Sequence, residues 1–336
     1  SASSVLLSGF SDEASVNKTA VQQFAAFAAL GLHYFSLRFI DVGQGVKNVM
    51  KLSDEEIALV KAQAADNGLK VATLGSPLGK VKLIDQADGT SNRYVPFDFY
   101  LADEVQRACD LANTFDTKLI RGFSFYHPKG DDPNKYVTQA VDYLGRMADL
   151  CHRNGVVYGV EIEANLIGQT GQICAEIHRQ VASPALVTIF DGANILCQGY
   201  SEAETYEQYL AMKPGLGWVH IKDYAPPSRT ETHKGHVDEE ALKHFVPVEE
   251  GGSGHRAILV DLKTILPELN AKMKALGAPG VFLDLEPHLK GGGQFGGFSG
   301  PDGFGVACRS LCRLLDEAKI GYHIRGFEDV KAARGF

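Results

Sequence analysis

Apolar and polar positions along this chain follow two alternating periods. "SVLLSGFS" has the short apolar run of a buried strand. "VNKTAVQQFAAFAALG" then repeats its apolar residues every three or four positions, as a helix with one buried face does, and closes on a glycine in the C-terminal capping position. The couple returns as "HYFSLRFI" with "SDEEIALVKAQAADNG", where Ser53 and Glu56 predict a capping box. It returns again as "KVATLGS" with "FDFYLADEVQRACDLANTF", and as "KLIRGFSF" with "NKYVTQAVDYLGRMADLCHRNG". "VVYGVEIEA" precedes "TGQICAEIHRQVA", and "ALVTIFDGAN" precedes "SEAETYEQYLAMKPG". The last two couples are "GWVHIKDY" with "VDLKTILPELNAKMKALG", after a long insertion, and "GVFLDLE" with "GFGVACRSLCRLLDEAKIG".

Strict alternation of strand and helix implies parallel strands joined by helical crossovers, and a count of eight predicts closure into a (β/α)8 barrel. An open doubly wound sheet is the alternative, but no strand leads into a G-x-G-x-x-G turn. No shift in composition marks a boundary, so residues 1–336 read as one α/β domain, a TIM barrel. The extra length falls after strands three, seven and eight, on the rim where barrel enzymes work.

Polar residues at the C-terminal strand ends are therefore the candidate chemistry. They are Ser11, Asp12 and Glu13 after strand one, Arg38 on two, Ser76 and Lys80 after three, and Arg121 and His127 on and after four. Strand five gives Glu161 and Glu163, six gives Asp191 and Asn194, seven gives His220, Lys222 and Asp223, and eight gives Glu286 and His288. Strand eight, "VFLDLEPHLKGGGQFGGFSG", sets Asp284 and Glu286 on one face and then runs into glycines. That glycine-rich run is expected to close over substrate as a lid. Glu161, Asp191, His220 and Glu286 come from four successive strands. Three carboxylates and an imidazole make a hard site for one divalent metal ion, Mn²⁺, Mg²⁺, Co²⁺ or Zn²⁺. Without a cation the three acids would repel one another.

The motifs "VEIEAN", "FDGAN", "VHIKD" and "LEPHL", in that order and spacing, resemble the xylose isomerase-like (AP-endonuclease family 2) barrels, which include sugar isomerases and epimerases. The resemblance implies that Glu161, Asp191, His220 and Glu286 hold the metal. Glu161 is preferred to Glu163 because it lies six residues after Gly155, the family's spacing, although both point to one side of the strand. It also implies isomerisation or epimerisation next to a carbonyl through an enediolate, with Glu161, Glu286 and Lys222 as candidate catalytic residues. Glu163, Arg38, Arg121, His127, Asn194 and His288 are the candidate substrate-binding residues, and Phe123, Tyr126 and Trp218 candidate apolar contacts, Trp218 equally as core filler. Two departures separate the chain from the family's ketose epimerases. Asn194 stands where they often carry histidine, and "HIKDYA" replaces their His-x-Gly-Glu-x-x-Arg run.

Composition narrows the classes. Hydrophobic residues make up 45% and charged residues 22%, an ordinary globular balance. A net charge of −8 argues against a nucleic-acid partner, and with it against an AP endonuclease, which needs a basic groove and several more histidines. No apolar run reaches the roughly 18 residues of a membrane span. The expected partner is a small-molecule sugar or keto-sugar, unphosphorylated because no glycine-rich phosphate cradle follows strand seven; a homo-oligomer stays open. A keto-sugar or cyclitol dehydratase or lyase in the same site is one alternative, and a non-catalytic carbohydrate-binding barrel, which would not need three acids around one point, is another. The six cysteines form no CxxC pair and read chiefly as buried thiols. A cytoplasmic protein is expected. Export after cleavage is the alternative, because "SASSVLLSGF" opens without Met and without a charged-then-apolar leader.

Overall fold

A computed structural model describes residues 1–225, 234–237, 243–289 and 299–335. Eight strands form one parallel sheet: β1 (Leu6–Gly9), β2 (Tyr34–Leu37), β3 (Lys70–Gly75), β4 (Leu119–Gly122), β5 (Val157–Glu161), β6 (Leu186–Asp191), β7 (Leu216–Ile221) and β8 (Phe282–Leu285). Their hydrogen-bonded order is β1-β8-β7-β6-β5-β4-β3-β2. The circle closes through a parallel bridge between Phe10 and Ser36, just beyond β1 and within β2. The protein is a (β/α)8 barrel, nearly closed.

A helix follows each strand: α1 (Ala20–Leu30), α2 (Asp54–Asp66), α3 (Gln106–Thr114), α4 (Val137–Arg153), α5 (Gly171–Val181), α6 (Glu202–Met212), α7 (His255–Ala275) and α8 (Gly300–Ala318). On α4 the buried residues Val137, Ala140, Leu144, Met147, Ala148 and Cys151 recur at helical spacing, so one stripe packs on the sheet. Strands β4 to β7 are buried at every position because helices cover one face and side chains fill the barrel on the other. Trp218 is fully buried in that filling, where a Cβ added to Gly159 would lie 2.3 Å from its indole ring. It is core filler and not a cavity wall.

Local chemistry moves some boundaries. The first helix starts at Ala20 and not at Val16, because Thr19 caps it by accepting from the Gln22 amide and Lys18 sits at φ 58°. The capping box of α2 is present with both its bonds. α7 begins earlier than its apolar pattern suggests, at His255. Two short antiparallel pairs at the rim, Phe39–Ile40 with Lys47–Asn48 and Asp223–Tyr224 with Phe245–Val246, were too short to register as periodicity. Residues 290–298, which include most of the expected lid, lie outside the described residues.

Candidate active site

Glu161 ends β5 and Asp191 ends β6, His220 is the penultimate residue of β7, and Glu286 follows β8 directly. Parallel register aligns Asp191 with His220, and His220 with Asp284. One potential ligand atom from each of Glu161, Asp191, His220 and Glu286 lies within 4.8 Å of the others, and all four residues are buried. His220 Nδ1 is 2.9 Å from Glu161 Oε1, 3.9 Å from Glu286 Oε1 and 4.0 Å from Asp191 Oδ2. Asp191 Oδ1 accepts from the Asn194 amide at 3.1 Å and so caps the one-turn helix Gly192–Leu196, which leaves Oδ2 for the cluster.

The cluster floors a cavity of about 420 Å³. Glu161, Glu286, Lys222, Glu163, Arg38, Arg121, Asn194 and His288 line it, with Phe123 and Phe245 among its apolar walls. His127 and Tyr126 do not line it; His127 is bound instead to the Pro128 carbonyl at 2.9 Å and Gln169 Oε1 at 3.0 Å. Lys222 Nζ sits 3.0 Å from Glu286 Oε1 and 3.3 Å from Asp191 Oδ2. Arg121 reaches Glu161 Oε1 at 3.1 Å and donates to the Ser76 carbonyl, while Asn194 Nδ2 donates to Glu161 Oε2 at 2.9 Å. Glu163, two residues beyond the cluster's own glutamate, is paired with Lys80 at 3.0 Å.

Several roles escape a linear reading. Asp12 grips Arg38 with two bonds of 2.8 Å, and Arg38 Nη1 then donates to Glu286 Oε2 at 2.7 Å. Glu13 accepts from the His288 amide at 2.8 Å and faces His288 Nδ1 at 2.9 Å, with His288 itself at φ 55°. Phe245 crosses the His288 ring edge to face. The only sequence signal for the acids was their place directly after β1. Their partners lie far along the chain.

Charge is held unevenly. Burial pushes the Glu161 carboxyl up, but the charges of His220 and Arg121 outweigh burial and hold it down at about 2. Burial likewise opposes ionisation of Glu286, and Lys222, His288 and Arg38 bring it well below the usual carboxylate range. Asp191 goes the other way, raised to about 6 by burial, with Lys222 only partly offsetting it. Burial lowers the His220 imidazole, and Glu161 and Glu286 more than restore it. Asp191 Oδ2 and both His220 nitrogens have no hydrogen-bond partner despite these short approaches. Unpartnered ligand atoms converging among three buried acids fit a divalent cation, and the oxygen-rich donor set suits a hard one.

The xylose isomerase-like TIM barrel family model matches residues 24–291. No curated protein matches the sequence. Among solved structures, a xylose isomerase-like TIM barrel protein from Mycobacterium smegmatis in complex with magnesium is 17% identical, with 94% of this chain and 96% of that chain covered and a TM-score of 0.62. The D-allulose 3-epimerase from Methylomonas sp. is 15% identical over 93% of this chain and 98% of its own, with a TM-score of 0.60. The "probable 3-DHS dehydratase AsbF" from Bacillus anthracis is 16% identical over 82% and 98%, with a TM-score of 0.54. At identities this low these likenesses show the fold alone, whereas the family match spans most of the chain. The chain belongs to the xylose isomerase-like TIM barrel family.

Proposed function

We propose that this protein is a divalent-cation-dependent sugar isomerase or epimerase that moves a proton on the carbon beside a carbonyl. The observation that carries this reading is the division of the quartet: Glu161 and Glu286 line the cavity, and Asp191 and His220, in the same cluster, do not. In this reading all four hold the ion, and only the two glutamates also meet substrate. When bound, the cation polarises adjacent carbonyl and hydroxyl oxygens and makes the neighbouring C–H acidic.

The chain's own residues do the rest. Glu161 and Glu286, kept ionised by their cationic neighbours, accept and return the proton: one on each face for epimerisation, one alone for isomerisation. Lys222 and Arg38 are donors to substrate oxygens at the Glu286 side, and Arg121 and Asn194 fix the Glu161 carboxylate. Phe123 and Phe245 supply apolar walls for the carbon faces of a sugar.

Loss of water is the second reading, favoured by the Lys222 ammonium beside the Glu286 carboxylate, a donor next to an acceptor. The test is a panel of ketoses and keto-sugars with Mn²⁺-loaded and chelated protein. Turnover that depends on Mn²⁺ and gives an isomer supports the first reading. A product lighter by one water supports the second, and equal turnover without metal sinks both.

A further inference from the structure

Strand eight puts two carboxylates on one face, and the proposed chemistry uses only Glu286. Asp284 is fully buried inside the barrel. Its Oδ2 accepts from Ser36 Oγ at 2.7 Å, and Ser36 Oγ is 2.6 Å from Thr73 Oγ1. The only basic side chain within 4.0 Å of it among the described residues is His220, whose Nε2 lies 3.6 Å from Oδ2. Asp284 Oδ1 and His220 Nε2 both lack a hydrogen-bond partner. A carboxylate buried beside the hydroxyls of Ser36 and Ser8, with no lysine or arginine, is costly to the fold, so its retention needs a reason.

The geometry around His220 supplies one. Nδ1 faces Glu161, Glu286 and Asp191, and Nε2 faces Asp284 on the opposite side of the ring. Phe10 meets the imidazole edge to face, with centroids 5.3 Å apart, and limits its tilt. The Asp284 contact is longer than a hydrogen bond, yet too short to admit a water between the two groups.

We propose that Asp284 is a positioning residue that faces the Nε2–H of His220 and holds the proton on that nitrogen, so that the Nδ1 lone pair is presented to the other three side chains. This rests on the reading of the quartet as a cation site. Ligating histidines usually give their second N–H to a carboxylate or carbonyl, and loss of that partner weakens metal binding. Unlike Glu161 and Glu286, Asp284 does not line the cavity, and it meets His220 at the ring nitrogen turned away from the other three side chains.

The test uses the full chain and Mn²⁺ alone, with affinity measured by equilibrium dialysis for wild type, Asp284→Asn and Ser36→Ala. Asp284→Asn keeps an acceptor for Ser36 but offers Nε2 an amide donor, which favours the wrong tautomer. It should weaken Mn²⁺ binding about 10- to 100-fold, while the metal-free melting temperature stays level or rises. Ser36→Ala, which loosens Asp284 without removing it, should weaken Mn²⁺ less. In wild type loaded with Mg²⁺, ¹⁵N spectra of the histidines should show His220 protonated at Nε2, a readout that needs no variant to fold. Unchanged Mn²⁺ affinity with a lowered metal-free melting point, or a proton on Nδ1, would overturn the proposal and leave Asp284 a packing residue. Wild type that binds no Mn²⁺ would overturn it together with the cation site.

Discussion

Asp191 points its two oxygens at different tasks: Oδ1 caps a helical turn and Oδ2 faces the cluster. Asp191→Asn can keep the cap through its remaining oxygen while losing the anion. It should fold with a wild-type circular dichroism spectrum and lose measurable divalent binding in equilibrium dialysis; retained stoichiometric binding would remove Asp191 from the site. Asp12 gives a pH signature. Burial pushes its carboxyl up, but Arg38 more than offsets burial and leaves it below its ordinary 3.8. A lowered folded-state value contributes stability that is present above about pH 4 and lost as pH falls through the folded value. Asp12→Asn should therefore melt below wild type at pH 7, and the gap should shrink as pH drops under 4. A gap that widens in acid would contradict the Arg38 pairing. The residues of the quartet were legible because each stands at a strand end. The preference for Glu161 over Glu163 rested on the spacing from Gly155, since both point to one side of β5; the pairing of Glu163 with Lys80 was not legible in the sequence.

At the scale of elements, β5 shows how tightly the barrel carries the site. Gly159 lies two residues before Glu161, and the Trp218 indole of β7 fills the space its side chain would take. Gly159→Ala should force β5 and β7 apart, at about 1–3 kcal/mol for overpacking a close-packed core, and lower the melting temperature accordingly. An unchanged melting temperature would mean that the indole can move aside. The sequence revealed all eight strand–helix couples because each helix shows a one-sided stripe and each strand a compact apolar run. It missed the start of α1, where a cap and a left-handed residue overrule the apolar pattern, and the two-residue antiparallel pairs, which are too short to carry a period.

For the whole molecule, the barrel topology brings residues from opposite ends of the chain together at one rim. Arg38 meets Glu286, and Glu13 meets His288, across separations of 248 and 275 residues. No local pattern can announce such contacts, which is why Asp12, Glu13 and Asp284 were visible as acids but not as supports. If the converging buried acids hold a cation, stability is tied to it. Divalent ion at 100 times its dissociation constant should add about 2.7 kcal/mol to stability, seen as a rise in melting temperature that a chelator reverses; no rise with Mn²⁺, Mg²⁺, Co²⁺ or Zn²⁺ would argue against the site. Turnover in D₂O reads out whether the cavity-facing glutamates Glu161 and Glu286 exchange a proton with the substrate carbon. Product formed by the cation-loaded protein should carry solvent deuterium on the carbon next to the carbonyl, and Glu286→Gln should slow its formation by about 10²- to 10⁴-fold. Product formed at full rate without deuterium would rule out this proton exchange, because a hydride passed between carbons needs neither glutamate as a base.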